Sequence, residues 1–162
     1  MPGVRTRKGN VFSVRVGPTD TRYFQYIAND LTQLNSDVIR AFKKVYPNDS
    51  KPDLQEIVSG EVEFYAHVVV PLGLKMKLWE KVGNVPFNGE IEVYFRGSQD
   101  YGNPAIKCSE SWLVWRINKE RQFVGRLAGA LRVAEIGVVV APKDLVDRMR
   151  TGRYHFVYPE MK

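Results

Sequence analysis

The chain has 162 residues, 44% of them hydrophobic and 12% aromatic, which is enough to bury a core in one domain without disulfide or metal staples. Its longest apolar runs, such as Val138 to Ala141, are strand-sized and far short of the roughly 20 residues a membrane-crossing helix needs. The net charge of +6, with a pI near 9.5, favours acidic partners, nucleic acid among them.

The opening MPGVRTRKGN is basic with no apolar segment behind it, so it does not read as a secretory signal, and a cytoplasmic protein is expected. One domain over residues 1–162 is expected, with residues 1–8 as a candidate disordered basic tail. VFSVRV (11–16) alternates, placing Phe12, Val14 and Val16 on one face. Turn residues Gly17 to Asp20 follow, then a returning strand over 21–28, so a hairpin opens the domain.

In SDVIRAFKKVY (36–46), Val38, Ile39, Phe42, Val45 and Tyr46 recur at helical spacing, with Ser36 as N-cap and Pro47 as stop. This periodicity predicts a helix, with a strand as the alternative because β-branched and aromatic residues are plentiful. Asn48 to Pro52 is a polar loop, Asp53 to Val58 at most two helical turns, and EVEFYAHVVV (61–70) the clearest strand. In LKMKLWEKVGNVPF (74–87), Leu74, Leu78 and Val82 also recur at helical spacing, and Gly83 sits where a helix would stop.

Residues 90–96 alternate again, with Ile91, Val93 and Phe95 on one side, before a polar loop from Gly97 to Pro104. Over 109–117, Trp112 and Val114 face one way and Leu113, Trp115 and Ile117 the other, up to a charged turn at Lys119 to Arg121. Val138 to Val140 reads as a buried strand. Pro142 to Met149 carries the marks of a helix: Pro in the first turn, Asp144 near the positive end of the dipole, Arg148 and Arg150 near the negative end, Gly152 beyond. Residues 154–158 read as a last strand closed by Pro159. The fold class is mainly β (α+β), expected as a single curled antiparallel sheet or small SH3-like barrel with two or three short helices.

No catalytic constellation stands out. Nucleophilic catalysis needs a Ser or Cys held by a base, but no Ser lies in a G-x-S-x-G turn, and His67, inside FYAHVVV, reads as a structural hydrogen-bonded histidine. His155 is a candidate for a partner surface. Cys108 lacks a disulfide mate, and with two histidines it cannot complete a zinc site, so a lone buried thiol and no metal or cofactor are expected. The pairs Glu61/Glu63 and Glu90/Glu92 are what any solvent-facing strand shows. Basic and aromatic neighbours at 94–96, 115–116 and 153–155 fit a sheet that stacks bases, though no RNA-binding module signature accompanies them.

Three segments carry a family likeness: Lys8-Gly9-Asn10-Val11-Phe12-Ser13-Val14, then Arg22-Tyr23-Phe24-Gln25-Tyr26-Ile27, then Leu78-Trp79-Glu80-Lys81-Val82-Gly83-Asn84-Val85-Pro86. This order resembles the immunity protein 26 family of bacterial polymorphic toxin systems, with its G-x-V/I-F start, tyrosine-rich second strand and W-x-x-I/V-G-x-x-P segment. The resemblance spans residues 8–95; the chain from Cys108 on lies outside it. It implies a non-catalytic protein that neutralises a cognate toxin by binding it, with Trp79 and the Gly83 to Pro86 turn fixing a buried corner. Immunity proteins against nucleases are often acidic, whereas this chain is basic, so the expected counterpart is an acidic toxin surface.

Tight interfaces are anchored by Trp, Tyr and Arg. The candidate partner-binding residues are therefore the exposed members of Tyr94, Arg96, Tyr101, Trp112, Trp115 and Tyr154. The alternative function is a small basic nucleic-acid-binding β domain.

Overall fold

In the computed structural model, which describes residues 5–162, the chain is mainly β with short helices, and residues 1–4 of the expected tail lie outside the described residues. Arg7 to Gly9 are tied down: the Arg7 amide donates to Asn10 Oδ1 (2.9 Å) and the Gly9 amide to the Tyr26 carbonyl (2.7 Å). The elements run β1 (Asn10–Arg15), β2 (Asp20–Asp30), β3 (Ser36–Phe42), β4 (Tyr46–Pro47), α1 (Leu54–Val58), β5 (Val62–Val68), α2 (Val70–Lys75) and β6 (Glu80–Asn84). Then come β7 (Tyr94–Ser98), β8 (Cys108–Ser109), β9 (Trp112–Arg116), β10 (Gln122–Gly125), a 3-10 turn (Gly129–Val133), β11 (Glu135–Ile136), β12 (Val139–Val140), α3 (Pro142–Thr151) and β13 (Glu160–Met161).

These strands form open, mixed sheets, which corrects the expectation of a single curled sheet or small barrel. The largest has the order β12-β5-β3-β2-β1-β6, with β4 on β2; a second runs β10-β9-β7-β11, and β13 pairs with β8. The β1–β2 hairpin is antiparallel, as its turn residues require, while β11 on β7, β12 on β5 and β13 on β8 are parallel.

The large sheet is covered on both faces. On one, Phe12, Phe24, Phe64 and Trp79 pack under α2 and α3 with Leu145 and Met149. On the other, α1 covers Val11, Tyr23 and Phe42 through Ile57, and the second sheet covers Ile27 and Val38 through Phe95 and Trp115. This double cover overturns the helix expected over 36–46. Residues 36–42 are β3, between β2 and β5, with Val38, Ile39, Ala41 and Phe42 buried on both faces. A strand buried on both faces loses its period of two, and the apolar spacing that remains imitates a helix.

The segment 74–87 is also not one helix. The helix α2 ends at Lys75, Lys77 adopts a positive φ of 60°, and Glu80–Asn84 becomes β6 on the edge beside β1, leaving Val82 exposed. Of the corner expected from Trp79 and the Gly83 to Pro86 turn, Trp79 is buried, packing edge-on to Phe24 (5.1 Å between centroids) and donating from Nε1 to the Val70 carbonyl (3.1 Å), whereas Gly83 and Asn84 belong to edge strand β6 and Pro86 is exposed. The Trp79 ring fills the space beside Gly73, where a Cβ would come within 1.8 Å of it.

Further on, the two faces expected of 109–117 separate into different cores: Trp112 and Val114 in one, Trp115 with Leu113 and Ile117 in the other. Helix α3 forms as expected, closed by Gly152 in the left-handed region (φ 88°). The strand expected at 154–158 does not form: these residues find no ladder partner, and their aromatic rings pack on α3 and β7 neighbours instead, with pairing beginning only at Glu160. Of the expected buried strand 138–140, Val140 is buried and Val139 exposed. Cys108, expected to be buried, is exposed.

Candidate functional site

Two polar clusters lie at the contacts between sheets. The first is fully buried around Asp30, at the end of β2. Its Oδ2 accepts from His67 Nε2 and Trp115 Nε1, both at 2.9 Å, and its Oδ1 from the amides of Asn118 (3.1 Å) and Gln33 (3.3 Å). His67 packs 4.3 Å from the Phe95 ring. Burial pushes the His67 pKa down against the pull of Asp30, so the ring is neutral, with its proton on Nε2 facing the carboxylate. This arrangement leaves the cluster no open side and reads as a joint between the sheets.

The second cluster is open to solvent. Its floor is β7 and β11: the register puts Ile136 opposite Arg96, the Gly137 amide donates to the Arg96 carbonyl (2.8 Å), and the Arg96 guanidinium donates to the Ala134 carbonyl. Helix α3 brings Arg148 in from one side. The left-handed Gly152 then folds the chain back, so that Tyr154, Phe156 and Tyr158 form the far wall of a cavity of about 410 Å³. Arg132, Arg153 and Glu135 complete its polar lining.

Aromatic faces hold both inner guanidiniums. Arg148 Cζ lies 3.9 Å from the Phe64 ring centre and 4.7 Å from that of Tyr154; Arg96 Cζ lies 5.6 Å from Trp112 and 6.0 Å from Tyr158. Burial lowers the Arg96 pKa and raises those of Tyr154 and Tyr158 to about 12. Glu135 is the one carboxyl lining the cavity, 3.7 Å from Arg148. Burial pushes its pKa up to about 7, and Glu63 adds to that, against the opposing pull of Arg148, Arg96 and the Tyr65 backbone.

A groove of about 670 Å³ lies on the other side of the C-terminal segment, between the loop Asp100–Lys107 and Val157 to Glu160. Tyr101 and Tyr158 meet across it, 5.2 Å apart, and Val157 is 89% exposed. The Glu160 amide donates to the Lys107 carbonyl (2.8 Å), which holds the loop against the segment.

The six candidate partner residues therefore divide. Tyr94 and Tyr101 are exposed, Tyr101 at the groove and Tyr94 beside Arg116. Arg96 and Tyr154 line the cavity. Trp112 and Trp115 are buried and cannot anchor a partner; each spends its indole N–H inside the protein, on the Ser109 carbonyl and on Asp30. Of the basic–aromatic neighbours, Phe95 and Trp115 are core residues, while Tyr94 and His155 are exposed. His67 is structural as expected, and exposed His155 contacts Thr151 (3.1 Å). Among the described residues no cluster of three or more His, Cys, Asp or Glu could hold a metal ion, and no helix is long and apolar enough to cross a membrane.

Sequence reasoning placed Arg148 at the end of a helix, gave Glu135 no role, and missed the site they make. One signal was available: Glu135 is the only carboxylate in the apolar and small-residue run 127–140. Comparison with family models, curated proteins and solved structures finds no match for this chain.

Proposed function

We propose that this chain is a non-catalytic binding protein that occludes an acidic protein partner. On the resemblance of residues 8–95 to the immunity protein 26 family, that partner is a cognate bacterial toxin met in the cytoplasm. The observation that carries the reading is the two-sided wall of Arg153–Glu160, which has rim arginines Arg132 and Arg153 on one side and the apolar groove of Tyr101 and Val157 on the other. Exposed Tyr and Arg beside apolar area match the composition of interface anchors, and the paired arginines call for carboxylates on the partner.

Co-expression with the product of the adjacent open reading frame, followed by pull-down and a growth assay, tests it. The expected result is a stable complex and rescue of growth, both lost in Tyr101→Ala/Val157→Asp. A toxin that kills unimpeded and is not captured sinks the reading. Oligonucleotide titration at two salt concentrations covers the alternative of a nucleic-acid-binding domain, which predicts an affinity that falls steeply as salt rises.

A further inference from the structure

The cavity, its rim included, holds more positive charge than its own groups balance. Four arginines and one glutamate line it, leaving three positive charges uncompensated. The nearby Glu63 is already engaged, in contact with the buried Arg22, which also donates to the Phe42 and Met149 carbonyls.

Two polar side-chain atoms of this lining are buried and find no partner within the protein: Arg96 Nε and the Tyr154 hydroxyl. A buried donor left unmet is costly to the fold, and such groups cluster where a ligand completes them. Two other buried side-chain atoms also lack partners, Asn10 Nδ2 and His67 Nδ1, but they lie apart from each other and line neither this cavity nor the groove, whereas Arg96 Nε and the Tyr154 hydroxyl belong to one cavity lining.

We propose that the cavity is a binding site for a small organic phosphate monoester. Arg96, Arg148 and the Tyr154 hydroxyl hold the phosphoryl oxygens, and Phe156 and Tyr158 pack the organic body. A dianion matches the charge surplus better than a single carboxylate does, and the planar guanidinium fork suits phosphoryl oxygens. The cavity volume, about 410 Å³, falls in the roughly 300–1,000 Å³ range of small-molecule sites, so a bare phosphate would leave much of it empty.

Glu135 is the resident anion, 3.7 Å from Arg148, and it competes with the ligand for that guanidinium. The rim arginines Arg132 and Arg153 add to the field in both readings, but the contacts that hold the phosphate are Arg96, Arg148 and Tyr154, none of which the partner reading uses.

Isothermal titration of the full chain with phenyl phosphate as the probe, and with inorganic phosphate and benzoate in parallel, tests the proposal. Saturable one-to-one binding of phenyl phosphate is expected, at least about tenfold tighter than either comparison anion. Arg96→Gln should weaken it at least about tenfold and Tyr154→Phe about threefold or more, while Glu135→Gln should tighten it. Tyr154→Phe removes only an unpartnered hydroxyl, so it remains informative if Arg96→Gln does not fold. The proposal is overturned if phenyl phosphate shows no saturable binding, if benzoate or inorganic phosphate binds equally well, or if Tyr154→Phe leaves the affinity unchanged. Each of these results can arise with the toxin complex intact or absent, so the two readings fail separately.

Discussion

Removing the charge of Glu135 should make the protein more stable at alkaline pH, although Glu135 lies 3.7 Å from an arginine. The carboxyl titrates near 4.5 in the unfolded chain and at about 7 in the folded one, because burial outweighs the arginines. The folded state therefore holds this proton more tightly. The stability it contributes is complete below the unfolded pKa and is lost as the pH rises through about 7, amounting to about 3 kcal/mol in full. Glu135→Gln keeps the shape and hydrogen-bonding capacity but cannot ionise. Relative to wild type, the variant should gain about 2 kcal/mol between pH 5 and pH 8, equivalent to roughly 4–8 °C in Tm for a chain of this size. Urea unfolding followed by tryptophan fluorescence at both pH values measures this, and groups that titrate in both proteins, His67 included, cancel in the difference. A gap that does not change with pH, or one that opens in favour of wild type at pH 8, refutes the reasoning; the pair with Arg148 would then outweigh the desolvation of the carboxylate.

Asp30→Asn should destabilise the fold by about 3 kcal/mol, because an amide nitrogen cannot accept from the indole and imidazole donors that meet Oδ2; denaturant unfolding reads the loss, and a change under about 1 kcal/mol would mean the joint relaxes freely. Tyr154→Phe should leave stability unchanged or raise it by up to about 1 kcal/mol, since the lost hydroxyl has no partner to forfeit. A clear drop in Tm would reveal a hydrogen bond the geometry does not contain. Gly73→Ala should cost about 3 kcal/mol because its methyl enters the Trp79 ring, and an unperturbed Tm would contradict that packing.

The sequence was most legible where one element had one simple environment. Helix α3 announced itself through Pro142, its charges and Gly152, and β9 through its strict alternation. The β3 segment misled because its neighbours cover both of its faces, a property of the sheet order and not of residues 36–42. Only local patterns were visible in the same way for the site. Arg96 and Tyr154 were singled out as anchors, but Arg96 and Arg148 meet only through the parallel pairing of β11 with β7, which no local pattern encodes. Exposure of the tryptophans was equally hidden, since a core tryptophan and an anchor tryptophan look alike on a strand.

The three parallel ladders have a kinetic consequence. Each ties a late segment to a strand made much earlier, Val139 to His67 and Glu160 to Cys108 being the longest parallel spans, whereas the antiparallel β1–β2 and β2–β3 ladders join close neighbours. The antiparallel pairing of β6 with β1, Asn84 to Asn10, is as distant as the parallel ones. Loop closure over such distances follows local pairing, so β1, β2 and β3 assemble first and residues 135–161 dock last. Pulse-labelled hydrogen exchange should show the Val16 amide, bonded across the first hairpin, protected before those of Gly137 and Glu160; simultaneous protection would contradict this order. The cavity and the groove each take one wall from that last segment, so in this order neither is complete until folding ends.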